Sequence, residues 1–261
     1  MRTTILGILL LCSIGVVEPQ AAYDHQYSDW QRGLTTYTHE GRVNYEALKG
    51  RDRDLKASIQ TIESLSKGEY ESFNTKQKMV FWINAYNIGV IKTIIDNYPI
   101  KRGFNIRALA YPANSIQQIS NVWDRPVLSL LGKQVSLNDI ENKFLRSEFK
   151  DPRAHFAIVC ASIGCPVIRS QAYTAEKLDQ QLLEQIQKFL SDPQKARYDI
   201  FKDVLYLSSI FKWFGEDFKQ VGGVITFIKI YAPKGLFNGL SEQTKIEWLG
   251  YDWNLNEESS K

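Results

Sequence analysis

The side chains best suited to covalent chemistry lie close together in residues 151–169, which read DPRAHFAIVCASIGCPVIR. This segment brings His155, Cys160 and Cys165 within eleven positions. A cysteine thiolate is a strong nucleophile, and a neighbouring imidazole can take the proton that the thiol must lose. The segment therefore predicts a thiol-dependent (Cys–His) hydrolase or transferase.

The two cysteines are predicted to differ in role. The run from His155 to Cys160 is apolar enough to predict a buried strand, and side chains alternate between the two faces of a strand. His155 and Cys160 would then point to opposite faces. Cys165 lies beyond a turn marked by Gly164 and Pro166, where the loop can fold back. We therefore predict Cys165 as the nucleophile and His155 as the base, with Cys160 as a core residue.

A third polar group must orient the imidazole, and Glu141 and Asn84 are the candidates. Glu141 lies three residues after Asn138, a spacing that predicts a capped helix running to about Arg146. Asn84 lies in the middle of a much longer predicted helix.

That long helix is predicted to begin at Asn74 and to end at about Asn97, before Tyr98-Pro99. Its middle is apolar on every side, which predicts burial at the centre of the domain. Asn84 and Asn87 lie three residues apart on one face, with Tyr86 nearby. Buried amides must be hydrogen-bonded, so the asparagines either tie loops to the core, which the general rule favours, or line a binding pocket.

The same cysteines and histidine allow other uses. A Cys160–Cys165 disulfide would be structural and would stabilise the fold by about 2 kcal/mol. Zinc is disfavoured because the spacing matches no usual pair of cysteine ligands and no fourth ligand is evident. The spacer is not that of a Cys-X-X-Cys redox motif, and no phosphate-binding loop or other catalytic motif is present. We predict neither a metal nor a cofactor.

Composition indicates a packed globular protein and excludes some partners. The 261-residue chain is 44% hydrophobic, enough apolar surface to fold. Its 32 basic and 29 acidic residues are interleaved rather than grouped, which argues against nucleic-acid binding. No segment after the leader is long and apolar enough to predict a transmembrane helix.

The first 22 residues predict a secretory signal peptide. Arg2 precedes an apolar core from Ile5 to Leu11, and cleavage is expected after Ala22. Lipidation at Cys12 is less favoured because Leu11 occupies the place of a small residue. The protein is therefore expected to be exported to the bacterial periplasm or the extracellular space, where a disulfide could persist.

Residues 23–255 are predicted to form one α+β domain, followed by a frayed tail over 256–261. An antiparallel-rich sheet would pack against the buried central helix, with several other helices around it. The further predicted elements are helices over 27–37, 45–65, 174–190 and 223–231, hairpins over 127–137 and 198–207, a helical turn capped by Ser208 or Ser209, and an irregular last strand over 246–253.

Five blocks of sequence, found in order over about residues 40–220, resemble domain-of-unknown-function family 547 (DUF547). The blocks are VNYEALK (43–49), FWINAYN (81–87), SLNDIENKFLR (136–146), DPRAHFAIVCASIGCPVIRSQAYTAEKLDQQL (151–182) and LYLSSIFKWFGEDF (205–218). The resemblance implies an exported bacterial protein or a plant relative, and it implies no particular activity. The family often has Ile-Glu-His where this chain has Ile140-Glu141-Asn142.

Two classes of function therefore stay open. The first is the thiol-dependent enzyme, which needs a free thiol with a lowered pKa. The second is a non-catalytic envelope module that binds another envelope protein or a small molecule and contains the Cys160–Cys165 disulfide. Such a module would expose an aromatic patch, for which Trp213, Phe214, Trp248 and Trp253 are the candidates.

Overall fold

The computed structural model describes residues 22–103 and 106–258. The predicted signal peptide, apart from Ala22, lies outside the described residues. Within those two ranges, no helix combines the length and the apolar character needed to cross a membrane.

The central helix, α5 (Thr75–Asn97), confirms the prediction. The Asn74 side chain accepts a hydrogen bond from Gln77 N, and the Gln77 side chain accepts one from Asn74 N, which completes the capping box. The helix ends where Tyr98 adopts an extended backbone before Pro99. Almost every residue from Met79 to Ile95 is buried, so α5 forms the axis of the domain.

Short elements precede α5 in the chain. They are α1 (Ser28–Tyr37), β1 (Thr38–His39), β2 (Arg42–Val43), α2 (Tyr45–Gly50), α3 (Arg53–Glu63) and α4 (Lys67–Ser72). The prediction of one helix over 45–65 is wrong, because Arg51 leaves the helical conformation and divides it into α2 and α3.

The middle of the chain combines a hairpin with several helices. They are the antiparallel hairpin of β3 (Pro126–Leu130) and β4 (Lys133–Ser136), a π-helix (Asp139–Phe149), a 3₁₀-helix (Pro152–Phe156) and α6 (Leu178–Leu190). The predicted cap at Asn138 is wrong. Instead Asp139 accepts a hydrogen bond from Ser136 N at 3.0 Å, and the helix continues past Arg146 to Phe149.

The predicted strand from His155 to Cys160 is also wrong. Asp151 caps the 3₁₀-helix by accepting from Arg153 N, and Pro152 fits its first turn. Beyond that helix, Asn87 accepts a hydrogen bond from Val159 N and donates one to Ala157 O. A side chain therefore satisfies backbone groups that a strand would pair with a neighbouring strand.

The C-terminal part combines a small sheet with three helices. The elements are β5 (Ala196–Asp199), β6 (Val204–Ser208), α7 (Ser209–Trp213), α8 (Gly215–Lys219), α9 (Val224–Tyr231) and β7 (Lys245–Leu249). Strands β5 and β6 form the predicted hairpin, and β7 adds to β6 in parallel. Ser208 caps α7 by accepting from Ile210 N.

Residues 256–258, which begin the predicted tail, are hydrogen-bonded to the N-terminal part of the domain. Asn256 is buried, its carbonyl accepts from Val43 N, and its side chain accepts from Tyr45 OH at 2.7 Å. Glu258 N in turn donates to Val43 O. Residues 259–261 of the predicted tail lie outside the described part of the chain.

The buried apolar residues form two clusters. The first cluster surrounds α5 and includes Tyr86, Val159 and Cys165. The second cluster is rich in phenylalanine and comprises Phe156, Phe211, Phe218 and Phe227 with their neighbours from α6 to α9 and β6. The α+β prediction is confirmed, although the strands of the described ranges form three small sheets rather than one.

Candidate functional site

A cavity of about 240 Å³ opens where the two clusters meet. Polar side chains and aromatic rings line it together. The polar ones are Tyr86, Asn138, Glu141, Asn142, His155, Cys160 and Cys165, and the aromatic ones are Trp123, Trp213, Phe214, Tyr251 and Trp253. The cavity therefore contains both predicted catalytic residue types and most of the predicted aromatic patch.

His155, at the C-terminal end of its 3₁₀-helix, is buried and held on two sides. Its Nε2 lies 2.7 Å from Oδ2 of Asp217, and its ring stacks on Phe214 with the centroids 4.1 Å apart. Asp217 also receives two hydrogen bonds from Arg146, at 2.6 and 3.1 Å. The imidazole therefore has a fixed position and a carboxylate partner.

Hydrogen bonding from His155, reinforced by Arg146, holds the pKa of Asp217 far below its usual range against the opposing effect of partial burial. Asp217 is thus ionised, and a carboxylate can only accept hydrogen bonds. Nε2 of His155 must carry the proton in the neutral ring, which leaves Nδ1 with a lone pair. Within the described residues, Nδ1 makes no hydrogen bond.

Asp217 is the functional residue that sequence reasoning missed. It lies in α8, 62 residues from His155, and no local pattern links the two. The one available signal was its place in the block over 205–218. The predicted orienting groups do not take this part, because neither Glu141 nor Asn84 has a hydrogen bond to His155.

Cys160 is the more accessible cysteine, half-buried at the cavity. Its Sγ lies 2.9 Å from Ser162 Oγ and 3.1 Å from Tyr251 OH. Burial raises the pKa of Cys160, but hydrogen bonds from Cys165, Ser162 and Tyr251 outweigh it, and the pKa lies below its ordinary value. The sequence-based argument that put Cys160 and His155 on opposite faces assumed a strand, and both line the same cavity.

Cys165 lies deeper, with 5% of its surface exposed. Its Sγ accepts a hydrogen bond from Cys160 N at 2.9 Å. Burial, together with the neighbouring Cys160, raises the pKa of Cys165 well above its ordinary value. The two thiols are free, and no disulfide joins them in this structure. The geometry favours Cys160 over the predicted Cys165 as the reactive thiol.

Backbone hydrogen bonds hold the loop between the cysteines against the C-terminal segment. Ile163 N donates to Asn254 O and Gly164 N to Asp252 O, both at 2.9 Å. A side chain on Gly164 would lie 2.9 Å from Asp252 N, so only glycine allows this approach. The loop therefore holds both thiols in a fixed relation to the cavity.

Glu141 enters the cavity from the π-helix, an element often found at functional sites. Its Oε2 lies 3.4 Å from Tyr86 OH, a long contact. Burial raises the pKa of Glu141 above its ordinary value, although His155 and Arg146 act in the opposite direction. This carboxyl is therefore suited to exchange a proton nearer neutral pH than an exposed glutamate would.

Asn84 and Asn87 lie outside the cavity lining. Asn84 donates to Tyr173 O at 2.9 Å and accepts from Tyr173 N at 3.2 Å. Asn87 makes the equivalent pair of bonds to Ala157 and Val159. Both amides tie loops to α5, and Asn87 holds the backbone that leads directly to Cys160.

The aromatic rings form one wall of the cavity. Trp213 is 48% exposed and packs against Tyr251 and Trp253, with centroids 4.8 and 6.0 Å away. Phe214 contacts both the ring of His155 and the guanidinium of Arg146. Trp248 is exposed but is not part of the cavity wall.

Across the described residues, no three histidine, cysteine or acidic side chains are grouped closely enough to hold a metal ion. Asn142 lines the cavity and accepts a hydrogen bond from Arg146 at 2.6 Å.

Comparison with known proteins gives one match. Residues 70–190 match the family model described as "Protein of unknown function, DUF547". No curated protein and no solved structure matches the chain. The matched segment includes His155 and both cysteines, whereas Asp217 and Tyr251 lie beyond it.

Proposed function

The chain is a DUF547 domain-containing protein, and we propose from the geometry of its cavity that it is a thiol-dependent hydrolase or transferase that acts on an acyl group. The observation that carries the proposal is the shared cavity of Cys160 and His155. Two hydroxyl groups hold the thiol, and Asp217 holds the imidazole.

The first step is attack by the Cys160 thiolate on the acyl carbon. His155 takes the thiol proton at Nδ1, a sulfur–carbon bond forms, and the leaving group departs with a proton returned by His155. Asp217 stabilises the imidazolium that exists between these events. Because Arg146 keeps Asp217 ionised, this stabilisation is available at any pH near neutrality.

The second step releases the acyl group. Water, or an acceptor molecule in a transferase, attacks the thioester after giving its proton to His155, and the carbon–sulfur bond breaks to restore Cys160. Asn142 is suited to stabilise the negative oxygen in both steps. Its amide nitrogen has no hydrogen-bond partner within the described part of the chain, while its carbonyl is occupied by Arg146.

The aromatic wall supports a substrate with an apolar or flat group beside the acyl carbon. Trp213, Tyr251 and Trp253 offer ring surface within the same cavity. The cavity volume of about 240 Å³ corresponds to roughly eight water molecules at about 30 Å³ each, which supports a small substrate group. A larger substrate would extend outward along the exposed face of Trp213.

The test is the rate of alkylation by iodoacetamide, followed by intact mass and peptide mapping between pH 6 and 8. We expect one rapid modification, located on Cys160, which Cys160→Ser abolishes and Cys165→Ser retains. His155→Ala should slow it at least tenfold, whereas His39→Ala, which changes an exposed histidine outside the cavity, should not. Rapid labelling of Cys165 instead would overturn the assignment of the nucleophile.

Slow labelling of both thiols, with unchanged folding, would contradict the enzyme proposal. It would favour the non-catalytic module, in which the aromatic wall alone binds a ligand. The same labelled peptide then serves as a reporter, because a ligand in the cavity would protect Cys160 from iodoacetamide.

We also propose export, which the leader over residues 1–22 supports. Expression of the full chain in a Gram-negative host should place a product shortened near Ala22 in the periplasm, measured by fractionation and N-terminal sequencing. An uncleaved product in the cytoplasm would contradict this proposal. A lipid-modified product starting at Cys12 would contradict the preferred cleavage site.

A further inference from the structure

We propose that Cys160 and Cys165 are a hydroperoxide-reducing pair, in which Cys160 is oxidised first and Cys165 then closes a disulfide. From the protein, this reaction needs only the two thiols and the cavity; a hydroperoxide supplies the oxidant. Its consequence, the reversible loss of acyl transfer, rests on the proposed function.

The two cysteines are held close together in the folded chain. Cys165 Sγ lies 2.9 Å from the backbone nitrogen of Cys160, one bond from the carbon that carries the Cys160 side chain. A disulfide between them therefore requires side-chain rotation within a loop that is already closed, so little chain entropy is lost.

The C-terminal segment holds the loop between the two cysteines in place. Asn256 N donates to Ala161 O, and Ile163 and Gly164 donate to the backbone of Asn254 and Asp252. Ala161 has a positive φ of 56°, an unusual conformation for alanine that the surrounding hydrogen bonds maintain. These contacts keep the dithiol preorganised in the reduced form.

The two thiols differ in exposure. Both line the cavity, but Cys160 is half-buried, so that a small peroxide can reach it, whereas Cys165 has only 5% of its surface exposed. The thiol that reacts first must be accessible to the peroxide. The thiol that completes the disulfide needs only to lie next to the first one. The hydroxyls of Ser162 and Tyr251 flank Cys160 Sγ and can donate hydrogen bonds to a peroxide oxygen there.

The reaction balances with a hydroperoxide as the oxidant. The Cys160 thiolate attacks one peroxide oxygen, so that a sulfur–oxygen bond forms, the oxygen–oxygen bond breaks and water or an alcohol leaves with a proton. Cys165 then attacks the sulfenic sulfur, the sulfur–sulfur bond forms, and the hydroxyl leaves as water with the proton from Cys165. Two thiols are oxidised, one peroxide is reduced, and an external dithiol restores the pair by exchange.

The experiment treats the reduced Cys12→Ser chain, in which only this pair of thiols remains, with one equivalent of hydrogen peroxide. Intact mass should fall by two hydrogens and return after addition of dithiothreitol. In Cys165→Ser, dimedone should instead trap a sulfenic acid on Cys160. In Cys160→Ser, neither product should form. Tyr251→Phe should slow oxidation about tenfold.

The outcomes separate this inference from the proposed function. If iodoacetamide labels Cys160 rapidly but peroxide leaves the mass unchanged, or drives Cys160 to sulfinic acid as fast in the parent as in Cys165→Ser, the peroxide pair is wrong and acyl transfer stands. If the disulfide forms while no acyl substrate or acyl-type inhibitor modifies Cys160, the proposed function is wrong and the peroxide pair stands.

Discussion

The two sides of the cavity are held in place by different forces. On the thiol side, buried amides and backbone hydrogen bonds fix the segment from Ala157 to Cys165, and the described residues place no ion pair there. On the histidine side, His155 depends on the ion pair of Arg146 and Asp217, both partly exposed. The thiol side should therefore respond to lost packing, and the histidine side to pH and charge.

The largest expected effect is on the thiol side. Asn87→Ala leaves Ala157 O and Val159 N without their buried partners, which should lower the free energy of unfolding by about 2–4 kcal/mol. It should also leave the position of Cys160 less well fixed and slow its alkylation in the folded protein. Chemical denaturation and alkylation kinetics measure the two effects.

Asn84→Ala is the matched control for this substitution. It removes an equivalent pair of bonds to Tyr173, away from the cavity, so stability should fall by a similar amount while Cys160 keeps its reactivity. Equal loss of reactivity in both variants would show that Asn87 stabilises the fold without positioning the thiol.

The second effect is on the histidine side. Asp217→Asn keeps the shape but removes the negative partner of His155, which should reduce the activity or reactivity of Cys160 by about 10²-fold or more. The pKa of Asp217 is depressed, so its ionised form stabilises the fold above the ordinary value of 3.8, and this contribution is lost as pH falls below it. The free energy of unfolding of the parent should therefore fall more steeply in acid than that of Asp217→Asn.

A smaller effect is expected where the thiol meets the aromatic wall. Tyr251→Phe removes one hydroxyl from Cys160 Sγ and from Ser162 but keeps the ring against Trp213 and Trp253. The pKa of Cys160 should rise, and alkylation at pH 7 should slow by about three- to tenfold. A pH profile of the alkylation rate that does not move would contradict the role given to this hydroxyl.

Glu141→Gln should change the free energy of unfolding least at acidic pH, and the difference from the parent should grow as pH rises. Burial raises the pKa of Glu141, so its contribution to stability is complete below the ordinary value of 4.5 and is lost as pH rises through the pKa in the folded state. The glutamine variant has no such loss and should become more stable than the parent toward neutral pH. A constant difference between the two across pH 4 to 8 would contradict the raised pKa.

Local patterns predicted the elements well where each residue's environment followed from its neighbours in sequence. The capping box at Asn74, the all-round apolar surface of α5 and the two hairpins are such cases. The strand expected from His155 to Cys160 failed because its apolar residues satisfy their backbone through Asn87, a contact between residues about 70 positions apart. The predicted choice of Cys165 over Cys160 as the nucleophile depended on the same strand, so it rested on the same wrong assumption.

The amino-acid sequence by itself determined which groups could react, namely one histidine and two cysteines near the end of an apolar run, and which helix would be buried. Only the tertiary structure decided how they are used. It brings Asp217 to His155 from 62 residues away and Tyr251 to Cys160 from 91 residues away. Burial and hydrogen bonding set the reactivity of a thiol or an imidazole, and both depend on neighbours that only the packed chain supplies.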